Sequence, residues 1–408
     1  MKIYKAYKIE LKPNKQQIKH FIKACGIARF AFNWALEHRK KAYKEGNKTP
    51  SAYDQINALN AIKKVQFPWM YEVSKCVSQE ALVDLDAGYK KFFRDCKAKK
   101  EVGKPKFKAK HGKRQSFRIA IEAGTFKISN TMLKLPKIKP VRLKQKVYVP
   151  IKDVKLISCT VSKVANRWFA SICCQVDIAE PAKQTEEVIG VDLGISKLAT
   201  CSDGQVFENN KTYYKYKRKL KRQHKAISRK KKGSQNRRKA VNALQVTYYK
   251  IGNIRKDLLH KLTSSLVRTK PRVIVIEDLA VSNMIKNRKL AKSLSDASFA
   301  EIRRQLTYKV GWYGGQVIVA DRFFPSSKLC SRCESINNEL KLSDRTYKCN
   351  CGYVADRDLN AAINLKKYFT TAGYAGSYAY GEYVRPAYPT GLQAGSLKQE
   401  ESIRLTTN

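Results

Sequence analysis

Four cysteines near the C-terminal end fall in two tight pairs, Cys330-Ser331-Arg332-Cys333 and Cys349-Asn350-Cys351-Gly352, and no other run of residues dictates its local fold so tightly. The pattern C-x2-C, fifteen residues, C-x-C is close to the spacing at which two knuckles bring four sulfurs round one tetrahedral Zn2+. Four thiolates fill that shell and leave no place for water. Cys330, Cys333, Cys349 and Cys351 therefore read as ligands of a structural ion rather than a catalytic one. The other seven of the eleven cysteines are scattered, and Cys173 and Cys174 lie in an apolar strand pattern and read as core. Histidine is confined to His20, His38, His111, His224 and His260, with no two at His-x-His spacing. This argues against a tyrosine transposase with a histidine pair for its metal, and against histidine-metal nuclease chemistry generally.

Charge narrows the partner. Lys and Arg number 83 against 33 Asp and Glu, a formal net charge of +50, yet 43% of the residues are hydrophobic and 10% aromatic. Such a chain folds, and its surface is one for polyanions: excess basic charge binds nucleic acid by neutralising phosphates and releasing counterions. A merely solubilising surface would mix both signs. The charge is densest between Lys215 and Lys239, where 14 of 25 residues are Lys or Arg and none is acidic. A run of one sign repels itself unless phosphates lie against it, so Lys230, Lys231 and Lys232 are candidate backbone contacts. No apolar stretch has signal-peptide or membrane-spanning length, so the expected location is the cytoplasm, at the nucleoid, with no membrane partner.

Periodicity gives the order of elements. Residues 3–11 alternate as a strand; after Pro13-Asn14, residues Ile18, Phe21, Ile22, Cys25, Phe32 and Leu36 follow helical spacing. A second long helix is expected from Ser74, available as its N-cap, with Val73, Val77, Ala81, Leu85, Tyr89 and Phe92 on the buried side. From Gly103 a basic linker, KPKFK, leads into short β runs, among them a hairpin of residues 154–164 and 167–176 turning at Ala165-Asn166. An OB-like or related barrel is expected here, joined by the N-terminal strand. Residues 186–208 read as three strands, the last two joined at Asp203-Gly204; a basic helical hairpin broken at residues 233–236 follows, then the buried strand RVIVIEDLA, then helix to about residue 312. Residues 369–408, with tyrosines at 374, 378, 380, 383 and 388, have no helical or strand period and read as a disordered tail.

With so few acids, a carboxylate inside an apolar strand calls for a reason. Asp192, in VIGVDLG, alternates onto the face of Val188 and Gly190, and Glu277, ending RVIVIE, onto the face of Val273 and Val275. Asp278 points the other way. In DRDLNAAINL, Asp358 shares a helix face with Ala361, Ala362 and Leu365, while Asp356 reads as the N-cap. Burying such charges is costly without a cation, and three carboxylates from distant segments can hold two Mg2+ ions for in-line attack on a phosphodiester.

Taken together, GVDLG, IEDLAVSNM, FPSSKLCSRC, CNCGYVADRDLNAAINL and the basic SRKKKGSQNRRKA segment resemble the TnpB proteins of insertion sequences, relatives of type V CRISPR effectors. The resemblance spans nearly the whole chain, including KPNKQQ and FNWAL near the start, GKPKFK, and the GLQAGSLKQE ending. It implies a multidomain α/β protein. Residues 1–11 and 103–183 would form a wedge-like β-barrel, 12–102 a helical recognition domain inserted in it, and 184–325 with 356–368 a RuvC-like nuclease of RNase H fold, interrupted by a zinc ribbon at 326–355. The implied activity is RNA-guided, Mg2+- or Mn2+-dependent cleavage of double-stranded DNA beside a short flanking motif, by a monomeric ribonucleoprotein whose guide is transcribed from the transposon end. Asp192, Glu277 and Asp358 carry over as the catalytic set, and Tyr53, Lys75 and Gln79 as flanking-motif contacts. Two departures stand out: Glu334 follows the first cysteine pair where the family commonly has Gly, and the second pair has a one-residue spacer. Two other readings compete. One is a guided repressor that binds without cutting, disfavoured by the intact acids; the other is a cut-and-paste transposase using the same acids.

Overall fold

In the computed structural model the described residues are 1–98, 103–110, 115–120, 126–146, 154–178, 185–341 and 343–371, and the chain divides into two compact units that meet in sequence near Asp177. The first contains β1 (Lys2–Lys12), α1 (Lys15–Lys44), α2 (Ala52–Gln66), α3 (Lys75–Lys97), β2 (Gln115–Ala120), β3 (Lys127–Ile128), β4 (Met132–Lys134), β5 (Val141–Leu143), β6 (Val154–Val164) and β7 (Arg167–Asp177). Asn14 caps α1 by a reciprocal box with Gln17. The same device, Ser51 with Asp54, starts α2, a helix the sequence reading passed over because its apolar residues are too few to mark a face. Ser74 stands at the N-cap of α3 as expected, but its side chain makes no capping bond.

The seven strands pair in the order β2-β6-β7-β1-β5-β4-β3, all antiparallel where register is defined, and β6 and β7 turn at Ala165 and Asn166, both with positive φ. Among the described residues no ladder joins β2 to β3, so the described sheet is open where an OB-like or related barrel was expected. The reason is that helices occupy its core-facing side: the Phe21 ring of α1 sits 5.8 Å from Phe117 and 5.0 Å from Trp168, and α3 packs on the edge strand β2. Buried residues of α1, α2 and α3 thus share one hydrophobic core with the sheet.

The second unit contains β8 (Thr185–Asp192), β9 (Lys197–Cys201), β10 (Val206–Glu208), α4 (Thr212–Ser228), α5 (Gln235–Leu266), β11 (Pro271–Ile276), α6 (Val281–Met284), α7 (Ala291–Ala297), α8 (Phe299–Trp312), β12 (Gln316–Val319), β13 (Thr346–Lys348), β14 (Val354–Asp356) and α9 (Arg357–Thr371). Its sheet runs β10-β9-β8-β11-β12; β9 is antiparallel to both its neighbours, β8 and β10, while β11 lies parallel to β8 and β12 parallel to β11. Strict alternation on β11 separates two cores. Ile274 and Ile276 face α5, α7 and α8, whereas Val273 and Val275 face Leu365 and Phe369 of α9. Phe369 is buried, one helical turn beyond Leu365, so α9 extends through Thr371 and the tail boundary at residue 369 is corrected. The remainder of the tail, 372–408, with its tyrosines and the GLQAGSLKQE motif, lies outside the described residues.

Candidate nuclease site and cysteine cluster

The parallel register of β8 and β11 pairs Gly190 with Val275 and Val191 with Ile276, so its next step sets Asp192 beside Glu277 at the carboxyl ends of both strands. From there the chain leaves in opposite directions, β8 into β9 on one side and β11 through helices to β12 on the other. Divergence of this kind opens a crevice at the strand ends. Alternation puts both acids on the sheet face that α9 covers. α9 lies against β8 at Gly190, where an added Cβ would stand 2.0 Å from the Ala362 carbonyl oxygen and 2.5 Å from the Lys366 nitrogen. Only glycine permits that approach, and the approach brings Asp358, in the first turn of α9, to the acids on the strands.

Electrostatics registers the convergence. Burial first, then Glu277 and Asp358, push the Asp192 carboxyl well above the ordinary carboxylate range, and only Arg357 pulls it back appreciably. Burial likewise raises Glu277, with Asp358 adding to it and with the Ser326 hydrogen bond and Arg357 opposing. The flanking acids are otherwise engaged. Asp356 accepts from the N–H groups of Asp358 (3.0 Å) and Leu359 (3.2 Å), capping α9, and pairs with Lys197 at 2.8 Å. Asp278 turns away to Arg322 at 2.7 Å and Arg303 at 3.6 Å.

The four cysteine sulfurs lie within 4.8 Å of one another, gathered round a single point as the ligands of one ion would be. Beside the cysteines, β13 and β14 form an antiparallel hairpin. The short second spacer is accommodated by a tight turn in which Gly352, φ +81°, donates to the Cys349 carbonyl at 3.0 Å while Cys349 donates to Tyr353 at 2.9 Å. The Ser335 hydroxyl, then the Cys351 N–H, draw the Cys349 thiol down to about 6. For Cys351 the Tyr353 N–H favours the thiolate, but desolvation and bonds shared with Cys333, Cys349 and Cys330 outweigh it and push the thiol up to about 12. Crowded sulfurs cannot all ionise without a cation among them, and that is the behaviour of a soft-metal site.

Several residues that hold this arrangement were not singled out from sequence. The Ser326 hydroxyl donates to Glu277. Asn364 donates to the carbonyls of Ser326 (2.8 Å) and Leu329 (2.7 Å); Asn360 donates to Leu329 (2.7 Å) and accepts from the Ser331 N–H (3.0 Å); Lys367 donates to the Ser331 carbonyl (2.7 Å). One face of α9 therefore clamps the strand of chain that runs from Ser326, on Glu277, to Cys330. The signal was legible: two asparagines four apart on the helix face that Ala361, Ala362 and Leu365 flank. Asp296 was also missed. It accepts from the Tyr213 N–H at 2.9 Å and pairs with Arg255 at 2.6 Å, tying the start of α4 and the middle of α5 to α7.

That tie steadies the basic hairpin. No acid occurs between Glu208 and Asp257, and the loop carrying Lys230, Lys231 and Lys232 is fixed from beneath by Arg237, which donates to the carbonyls of Ile227 (2.7 Å) and Lys230 (3.3 Å). In the other unit, Tyr53 is exposed near the start of α2, and Lys75 and Gln79 lie one turn apart at the start of α3; the structure gathers these three on neighbouring helices without a mutual contact that defines a site.

The chain matches three family models: "Probable transposase" over residues 171–288, "Cas12f1-like, TNB domain" over 299–365, and "Helix-turn-helix domain" over 1–48, where the structure has a strand and one continuous helix. It is 35% identical, over 99% of its length and 98% of the relative's, to a Streptomyces pristinaespiralis protein named "Putative RNA-guided DNA endonuclease". The correspondingly named InsQ of Escherichia coli is 33% identical over the full length of both chains. The structure superposes on that of Cas12f1, solved in complex with sgRNA and target DNA, with a TM-score of 0.61 at 13% identity, over 90% of this chain and 99% of the other; that likeness concerns the fold. Full-length identity at this level, with motif order and fold in agreement, makes the chain a member of the TnpB (IS605 OrfB) family.

Proposed function

We propose that the chain is an RNA-guided, metal-dependent DNA endonuclease in which Asp192, Glu277 and Asp358 form the nuclease site of a RuvC-like unit of RNase H fold, and the four cysteines hold a structural zinc in a ribbon inserted before α9. The observation that carries it is the convergence of those acids at the ends of two parallel strands, in a chain whose net charge is +50. The names of the full-length relatives support guidance by RNA and DNA as the substrate.

The donor set fits hard divalent cations: it is all oxygen, and burial first, then neighbouring acids, raise two of its members, a cost that a bound cation offsets. Mg2+ or Mn2+ bound there supplies an activated water and a stabilised leaving oxygen. The chain's own part is positional. Ser326 orients Glu277, Asp356 caps the helix that presents Asp358, and Arg357 offsets negative potential beside the acids while donating to the ribbon carbonyls of Lys341 (3.0 Å) and Asp344 (3.4 Å). The hairpin with Lys230, Lys231 and Lys232 neutralises phosphates of the guide or its heteroduplex, and Tyr53, Lys75 and Gln79 face the flanking duplex motif. A guide transcribed from the transposon end would bind a single copy of the chain.

Plasmid cleavage by the ribonucleoprotein purified with its RNA, on a target matched to that RNA, tests this. Asp192→Ala, Glu277→Ala and Asp358→Ala should each cut more than about 100-fold slower, the upper end of the loss expected from a mere supporting partner, and should still shift the target on a gel. Asp203→Asn, in an exposed turn, should cut normally. Thermal shift separates metal binding from chemistry. Ca2+ should raise the wild-type Tm. Asp192→Asn should lose that response and melt higher than wild type without metal, because it removes a charge that burial and Glu277 disfavour. Normal cutting by any of the three acid variants would refute the site, and strand-transfer products formed without RNA would favour the transposase reading.

A further inference from the structure

The loop 321–326 leads from β12 to Ser326 and is tied down almost everywhere. The Asp321 N–H donates to the Tyr368 hydroxyl at 3.2 Å, and Arg322 forks onto Asp278 with bonds of 3.1 and 2.7 Å. Phe324 packs edge-on against Tyr368 at 4.8 Å, and Ser326 donates to Glu277. Between these anchors Phe323 points out. Its ring is 87% exposed, the most of any large hydrophobic side chain among the described residues, while its backbone N–H is held by the Asp321 carboxylate at 2.8 Å. An exposed Phe gives up its burial energy. Two residues separate it from Ser326, which donates to Glu277, so no more than about 11 Å of extended chain lies between the backbone that carries the ring and the residue on that carboxylate.

We infer that Phe323 is a stacking platform for an unpaired base of the strand led to the carboxylates, with Arg322, fixed by Asp278, at its side. The inference rests on the nuclease reading. Every base has a π face, so an aromatic platform holds a strand without reading its sequence, which is what an enzyme that leaves sequence to its guide requires at the cut. The rigid loop presents the ring with little ordering cost, and Arg322 adds positive charge beside the backbone. A protein partner for the ring would need an apolar patch around it, whereas the exposed residues before it in the loop are Asp321 and Arg322, and Phe324 after it is turned onto Tyr368.

The test compares wild-type, Phe323→Ala, Phe323→Leu and Phe323→Trp ribonucleoproteins on a matched target with 2-aminopurine placed in turn at positions across the cut region. In Ca2+, wild type and Phe323→Trp should quench the fluorescence of one position, and the Ala and Leu variants should not. In Mg2+ under single turnover, the Ala and Leu variants should cut roughly 5- to 150-fold slower, the range for loss of one stacked base. Their Tm should match wild type, since the ring is exposed. Phe323→Leu equal to wild type in either readout overturns the platform, as does a change of oligomeric state with unchanged cutting. A wild type that shows the Phe323-dependent quench yet fails to cut overturns the nuclease reading, whereas cutting without that quench overturns this one.

Discussion

Glu334 adopts φ +61°, the left-handed region, in the turn that closes the first cysteine knuckle, where its N–H donates to the Cys330 carbonyl at 3.0 Å. A side chain there costs roughly 1–2 kcal/mol against glycine, partly offset by the extra freedom glycine has when unfolded. The Lys367 contact at 3.8 Å is solvent-exposed and recovers little. The departure from the family's glycine is thus tolerated at a cost in stability without loss of a ligand. Glu334→Gly should stabilise the ribbon by about 0.5–1 kcal/mol. The expected result is that a higher chelator concentration is needed to strip the metal, with cleavage unchanged; easier stripping would mean that the turn is relaxed as it stands.

Among the elements, α9 does most to assemble the site. Its apolar row, Ala361, Ala362, Leu365 and Phe369, seats it on the sheet; its asparagines hold the segment between Ser326 and Cys330; its first turn presents Asp358. Gly190 is the point where the fit has no slack, because the atoms an added methyl would strike are helix backbone and cannot swing aside. Gly190→Ala should therefore cost about 3 kcal/mol or more and displace Asp358 from Asp192. The expected outcome is a lower Tm and loss of cleavage even at temperatures where the protein is fully folded by circular dichroism. A folded variant that cuts normally would show that α9 can shift without moving its carboxylate.

At the scale of the whole molecule, the excess of basic charge sets affinity and its salt dependence. With Asp296 and Arg237 holding the hairpin in place, Lys230, Lys231 and Lys232 present charge from an ordered loop. Changing all three to Gln should reduce the slope of log binding constant against log salt by up to about 2–3 for the RNA, since each phosphate contact contributes roughly 0.7–0.9. An unchanged slope in filter binding across a salt series would leave the run merely solvated. Among the described residues no helix is long and apolar enough to cross a membrane.

Local chemistry was legible because it is written in short spacing. The cysteine knuckles, the Asp356 cap, the turn at Ala165-Asn166, and the strand faces of Asp192 and Glu277 each depend on residues a few positions apart, where sterics and period suffice. The open sheet, the shared core of helices and strands, and the last turn of α9 were not legible, since each is decided by what packs against an element and not by the element's own pattern. Convergence of the acids is the sharpest case. Alternation could say which way Asp192 points, but only the parallel register of two strands more than eighty residues apart, and a helix seated on a glycine, decide that Glu277 and Asp358 stand beside it. Contacts at such separation are selected by burial of the whole core, a property that no local window of sequence contains.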